Sequence, residues 1–138
     1  MTIENALSVL GLLGIGGILG TWLQIALERK NSALLQKQEF KETRYKCIIM
    51  LMYTALDYEK RGLGLLKFGR NFSSKEDVLD ELQAEWHNAI LFASEEVLTA
   101  IHAFIREPTV KLFKQAALAM RKDLWGGKSS KILAYLEF

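Results

Sequence analysis

An all-α fold is what this sequence predicts, with a single N-terminal transmembrane helix continuing into a cytosolic bundle of three to four helices. Three observations carry the expectation. Ala6 to Leu27 runs 22 residues without a charge. Beyond it, apolar residues recur every three to four positions, the period of a helix with one buried stripe. The only proline is Pro108, and it falls between two such stretches, so long helices run unbroken elsewhere.

The uncharged run comes first. A helix rises ~1.5 Å per residue, so 22 residues cover roughly 33 Å, against a bilayer hydrocarbon core of ~30 Å. A helix packed on a soluble core keeps a charged face for water, and this run has none. A cleaved signal peptide begins with basic residues and ends at small ones. Here the leader is Met1-Thr2-Ile3-Glu4-Asn5, and the run ends Ile25-Ala26-Leu27 before Glu28-Arg29-Lys30. The basic residues Arg29, Lys30, Lys37, Lys41, Arg44 and Lys46 follow it closely and none precedes it. Cytoplasmic flanks are enriched in Lys and Arg, so the expected topology is a single-pass cell-membrane protein. Residues 1–28 form the span, with the N-terminus outside, and residues 29–138 form a cytoplasmic helical domain.

The span has two unlike faces. At 100° per residue, Gly14, Gly17, Thr21, Gln24 and Glu28 share one side, with Gly20 at its edge. Opposite them stand Leu12, Ile15, Leu19, Trp22, Leu23 and Ala26. Small residues let membrane helices approach closely, and polar side chains bond between them. Gly16 and Gly20 add a GxxxG spacing, although glycine is common in membrane helices generally. Gln24 facing lipid would need a partner, and a single span can find one only in another copy. The expected partners are therefore the bilayer and the chain itself, as a homo-oligomer.

The remaining chain is long enough for one domain. The formal charge is +2, and all 18 basic residues follow the uncharged run. Cys47 is the sole cysteine, which rules out an intrachain disulfide and suits a buried thiol. Residues 28–61 read as one helix, with Asn31-Ser32 the only candidate break and Tyr45, Ile48, Ile49, Met52, Ala55 and Leu56 on its core face. Gly62 and Gly64 are expected to end it.

A basic, aromatic loop follows. Lys60, Arg61, Lys67, Arg70 and Lys75 stand beside Phe68 and Phe72, a composition suited to anionic headgroups or single-stranded nucleic acid. The plainer reading is a solvated turn whose phenylalanines tuck into the core. Ser73-Ser74-Lys75-Glu76-Asp77 is a capping box, opening a helix predicted to reach Glu107. Its stripe is Val78, Leu82, Trp86, Ala89, Ala93, Val97, Ala100, Ile101 and Phe104, and Ile90 is expected in the same core.

The next helix, Thr109 to Leu124, buries Phe113, Ala116, Ala117, Met120 and Leu124, and adds Lys111, Lys114, Arg121 and Lys122. Residues 76–107 hold eight carboxylates against Arg106 alone, so an acidic helix lies between basic neighbours, as in an antiparallel bundle. Gly126-Gly127 caps the last helix. The amphipathic tail to Phe138 is expected to dock on its own or a neighbouring domain.

No catalytic constellation emerges. Di-metal bundles need Glu-x-x-His pairs, but Ala84 and Thr99 stand three before His87 and His102. The two histidines have no cysteine partners for zinc. The glycines from Gly14 to Gly20 lack the preceding strand of a dinucleotide loop. Neither a metal, a cofactor nor a small-molecule substrate is indicated, and the chain reads as a non-enzyme.

An N-terminal span leading into a small helical cytosolic domain resembles the membrane-anchored accessory proteins of RNA-targeting CRISPR systems. The segments Leu91-Phe92-Ala93-Ser94-Glu95-Glu96-Val97-Leu98 and Ala119-Met120-Arg121-Lys122-Asp123-Leu124, either side of the proline, also look like those of many small bacterial membrane proteins. The CRISPR resemblance implies a nuclease-like helical fold and an oligomeric membrane pore supporting antiviral defence. That fold family cuts RNA with an Arg, four to six residues and a His. Neither His87 nor His102 has an Arg five to seven residues before it, which counts against cleavage.

Two functional expectations follow. One is a homo-oligomeric pore or channel-like effector whose Gly14, Gly17, Gly20, Thr21, Gln24 and Glu28 faces line the axis or its seam. The alternative is a membrane-tethered scaffold, with the span only an anchor. A cytosolic protein or an RNA–protein complex would then dock on Lys60, Arg61, Lys67, Arg70, Arg121 and Lys122.

Overall fold

A computed structural model describes residues 3–65, 69 and 71–126, with side-chain surroundings given for Gly17, Leu19–Gly62, Gly69 and Asn71–Gly126. Among the described residues there are five α-helices and no strand: α1 (Ile3–Leu56), α2 (Tyr58–Leu65), α3 (Lys75–Ala89), α4 (Glu95–Arg106) and α5 (Val110–Trp125). The chain divides into two compact units, Met1–Glu39 and Phe40–Phe138.

In the first unit α1 passes through Asn31-Ser32 without a break. Neither residue removes a backbone donor, and each lowers helix propensity by only ~0.7 kcal/mol or less. Among the described residues no helix is long and apolar enough to cross a membrane. The first part of the run Ala6 to Leu27 lies where side-chain surroundings are not described, so the transmembrane expectation gains no support from the fold.

The second unit departs from expectation at two breaks. Gly62 and Gly64 do not end the first long helix; both lie inside α2. The break comes earlier, at Asp57, whose N–H bonds to the Thr54 carbonyl at 3.3 Å. The Tyr53 carbonyl, the ordinary helical acceptor for that N–H, instead takes Arg61 Nη1 at 2.9 Å. Thr54 Oγ1 donates to the Met50 carbonyl at 2.8 Å, a back-bond that bends helices.

The predicted helix from the capping box to Glu107 is two helices. α3 starts as expected, with Ser74 Oγ accepting from the Asp77 N–H and Asp77 Oδ2 accepting from the Ser73 N–H. After Ala89 the bonds shorten to three-residue turns, Leu91 N–H to Asn88 O and Phe92 N–H to Ala89 O. Ser94 then caps α4 by accepting from the Val97 N–H. This corner places Ile90 and Leu91 on the surface, 53% and 88% exposed. Ile90 is therefore no core residue.

Folding back lets Trp86 Nε1 donate to the Leu98 carbonyl at 2.8 Å, tying α3 to α4. Thr109 caps α5, and Gly126 closes it at φ +67, a left-handed conformation that favours glycine. The core gathers Tyr45, Ile48, Leu51, Met52 and Ala55 from α1 with Val78, Leu82, Val97, Ile101, Phe104, Phe113, Ala116 and Met120. Ile49, Leu56, Trp86, Ala93, Ala100 and Leu124 pack half-buried against it. The expected charge pairing is present: Arg44 meets Glu85 on the acidic α3, and Lys122 of α5 meets Glu96 of α4 at 2.7 Å.

Candidate functional site

The described residues of the proposed oligomer face are exposed on α1. Leu19, Trp22, Leu23, Ile25 and Leu27 are 42–69% exposed, and Thr21, Gln24 and Glu28 are exposed beside them. A Cβ added at Gly17 or Gly20 would meet no atom within 4 Å, so the backbone there is open to close approach. Gly14 lies in α1 where side-chain surroundings are outside the described residues.

Two polar side chains of this face are already engaged within the helix. Thr21 Oγ1 donates to the Gly17 carbonyl at 2.9 Å, and Gln24 Nε2 donates to Glu28 Oε1 at 3.1 Å. One of the two amide N–H donors of Gln24 is therefore satisfied without a second copy. The amide oxygen of a glutamine remains a separate acceptor.

The described members of the basic set fall on two helices. On α2, Lys60 pairs with Asp57 at 3.4 Å, and the Arg61 guanidinium lies 3.7 Å from the centre of the Tyr53 ring. On α5, Lys122 is held by Glu96 and Arg121 is exposed. Lys67 and Arg70 lie outside the described residues. Arg61 thus contacts Tyr53 across the break between α1 and α2, and Arg121 lies exposed on α5. It lines a shallow groove of about 210 Å³ with Lys46, Ile49, Met120 and Trp125.

Sequence reasoning missed a polar hub in the second unit. Asp123 Oδ2 accepts from Lys41 Nζ at 2.7 Å and from Tyr45 Oη at 2.5 Å. Burial alone would raise the Asp123 pKa, but the bonds from Lys41 and Tyr45 outweigh it and hold the carboxyl below the usual range. Burial, with the carboxylate beside it, pushes the Tyr45 phenol well above its ordinary value. Nearby, Glu85 is 6% exposed, sits 3.4 Å from Arg44 and leaves Oε2 without a hydrogen-bond partner. One signal was legible: Glu85 stands three after Leu82 and four before Ala89, on the apolar stripe itself.

These groups brace helices. The hub offers a carboxylate, an ammonium and a phenol locked on one another, with no nucleophile positioned by a base. Among the described residues no group of three or more His, Cys, Asp or Glu could hold a metal ion. His87 and His102 are exposed and pack their rings 5.0 and 5.3 Å from that of Trp86.

No family model matches the sequence, and no curated protein or solved structure is similar to it. The likeness to CRISPR accessory proteins rests on the sequence architecture alone.

Proposed function

We propose that this chain is a single-pass membrane protein that homo-oligomerises through the N-terminal part of α1, forming a pore or channel-like assembly. The cytoplasmic helical unit, residues 40–138, is carried by it and has no catalytic role. One observation carries the reading: an uncharged run whose described apolar side chains, Leu19, Trp22, Leu23, Ile25 and Leu27, are exposed on α1. Each buried Leu-sized side chain contributes ~1.5–3 kcal/mol, so five left in water form a strong drive toward lipid or a second copy. Gly14, Gly17, Gly20, Thr21, Gln24 and Glu28 make the face turned to other copies, and Leu19, Trp22 and Leu23 turn to lipid. The resemblance extends the proposal to antiviral defence.

A second reading is favoured by a specific observation. Thr21 and Gln24 already have donors satisfied within their own helix, which suits a span serving only as an anchor for a scaffold whose partner docks at Arg121. Particle images of the full chain in lipid nanodiscs separate the two. A ring with a central hole supports the pore, and single copies support the anchor.

A further inference from the structure

We infer that Gly17 to Gln38 is the seam of a parallel, in-register coiled coil between copies of this chain, with the amides of Gln24, Asn31 and Gln38 stacked along its axis. The inference rests on the membrane-oligomer reading for the orientation of the copies. It goes further by assigning residues 28–38, which that reading leaves as a connector, to the interface itself.

The spacing is the first support. Gln24, Leu27, Asn31, Leu34 and Gln38 follow one another at intervals of three, four, three and four, and the alternation runs back through Gly20 to Gly17. All lie in one unbroken helix. A repeat of 3.5 residues stays on one side only if helices wind around each other with a left-handed supercoil. Positions 24, 31 and 38, seven apart, are amides, and the positions three after Gln24 and Asn31 are both leucine. Leu27 and Leu34 at d supply the apolar contact, and a polar amide at a is the kind of residue that sets register and strand number in coiled coils, at a cost in stability.

Exposure is the second support. Leu27 and Leu34 are 59% and 57% exposed, and Asn31 lies exposed between them. Outside the seam, Arg29, Ser32 and Gln36 are polar and exposed, while Leu35 is an exposed apolar residue beside it. The next seam position would be Lys41, but its ammonium is bound to Asp123 at 2.7 Å. The seam therefore ends at Gln38, which is already half-buried.

The chemistry selects the occupant. An amide both donates and accepts, so Asn31 can bond to Asn31 of another copy, which no carboxylate or ammonium could do with its own kind. In parallel register leucine meets leucine and amide meets amide. An antiparallel partner would set amides against leucines and strand them unpaired. Copies that enter the bilayer with the same end share the required direction. Gly17 and Gly20, open on the same side, let the backbones converge within the membrane.

Disulfide scanning of the full chain tests this. In a Cys47→Ala background, single cysteines are placed by Leu27→Cys, Asn31→Cys and Leu34→Cys on the seam, and by Arg29→Cys, Ser32→Cys and Gln36→Cys outside it. Oxidised in membranes, the seam variants should yield dimer about fivefold or more above the outer ones, because only there do Cα atoms come within the ~7 Å a disulfide needs. Equal yields, no dimer, or a maximum at the outer positions overturns the inference. Gly17→Leu added to the Leu34→Cys variant separates the two readings. Cross-linking that survives while the nanodisc assembly is lost keeps the seam and defeats the membrane face. An assembly that persists with no three-four pattern defeats the seam alone.

Discussion

Tyr45 donates its hydroxyl hydrogen to the Asp123 oxygen that Lys41 also holds, so one carboxylate joins two side chains of α1 to the end of α5. This is a long-range clamp, spanning 82 residues from Lys41 to Asp123. Its phenol and its carboxylate both carry shifted pKa values.

Because the folded pKa of Asp123 lies below its ordinary 3.8, the charged form is what folding favours. Its stabilisation is complete above that value and is lost as pH falls through the lower, folded one. Asp123→Asn should therefore lower stability at neutral pH by about 1–3 kcal/mol. The gap to the natural chain should close in strongly acidic buffer. Chemical denaturation at a series of pH values reads it, and a gap that widened with acid would assign the effect to another group.

Arg44 and Glu85 should behave differently, since each leaves a buried atom unbonded. Arg44→Ala strands Glu85 and should destabilise by about 1–3 kcal/mol. Replacing both with Arg44→Met and Glu85→Leu should restore or exceed the natural stability, since apolar residues often improve on a buried pair. A double variant as weak as the single one would show the pair to be net stabilising.

The corner between α3 and α4 separates two hydrophobic residues of similar appearance in sequence. Phe104→Ala, in the core, should lower stability by ~3–5 kcal/mol. Ile90→Ala, at the exposed corner, should change it by under ~0.5 kcal/mol. Comparable losses at both positions would place Ile90 in an interface between copies.

For the proposed membrane assembly, Gly17→Leu should abolish the oligomer or its permeability while the chain still inserts, because leucine fills the open backbone face. Gln24→Leu removes the polar contact and should weaken assembly, and Leu19→Ala, on the opposite side, should change little. A reporter fused after Phe138 should be active only in the cytoplasm. If all three substitutions leave particle size and permeability unchanged, the span is an anchor. A reporter active outside the cell would reverse the topology.

Much of the second unit was legible locally. Ser74 and Thr109 announce helix starts because their hydroxyls accept backbone donors only three residues away. Val78, Leu82, Val97, Ile101 and Phe104 reveal their buried face because helical periodicity is a property of neighbours. The uncharged run and its glycine, threonine and glutamine face are likewise plain in the residues themselves.

What only the tertiary structure decided are the places where distant groups compete for one atom. α1 gives way at Asp57, where Arg61 donates to the Tyr53 carbonyl, ahead of the glycines that were expected to end it. The corner at residues 90–93 interrupts a stripe that local periodicity carries straight through, because Val97, Ile101 and Phe104 beyond it keep the helical spacing of Val78, Leu82 and Ala89 before it. Glu85 survives on that stripe because Arg44, 41 residues away, meets it. Periodicity and capping act over one or two turns and can be read in order along the chain. A carboxylate's choice of partner is set by which groups share its low-dielectric surroundings, and those surroundings exist only once the helices have packed.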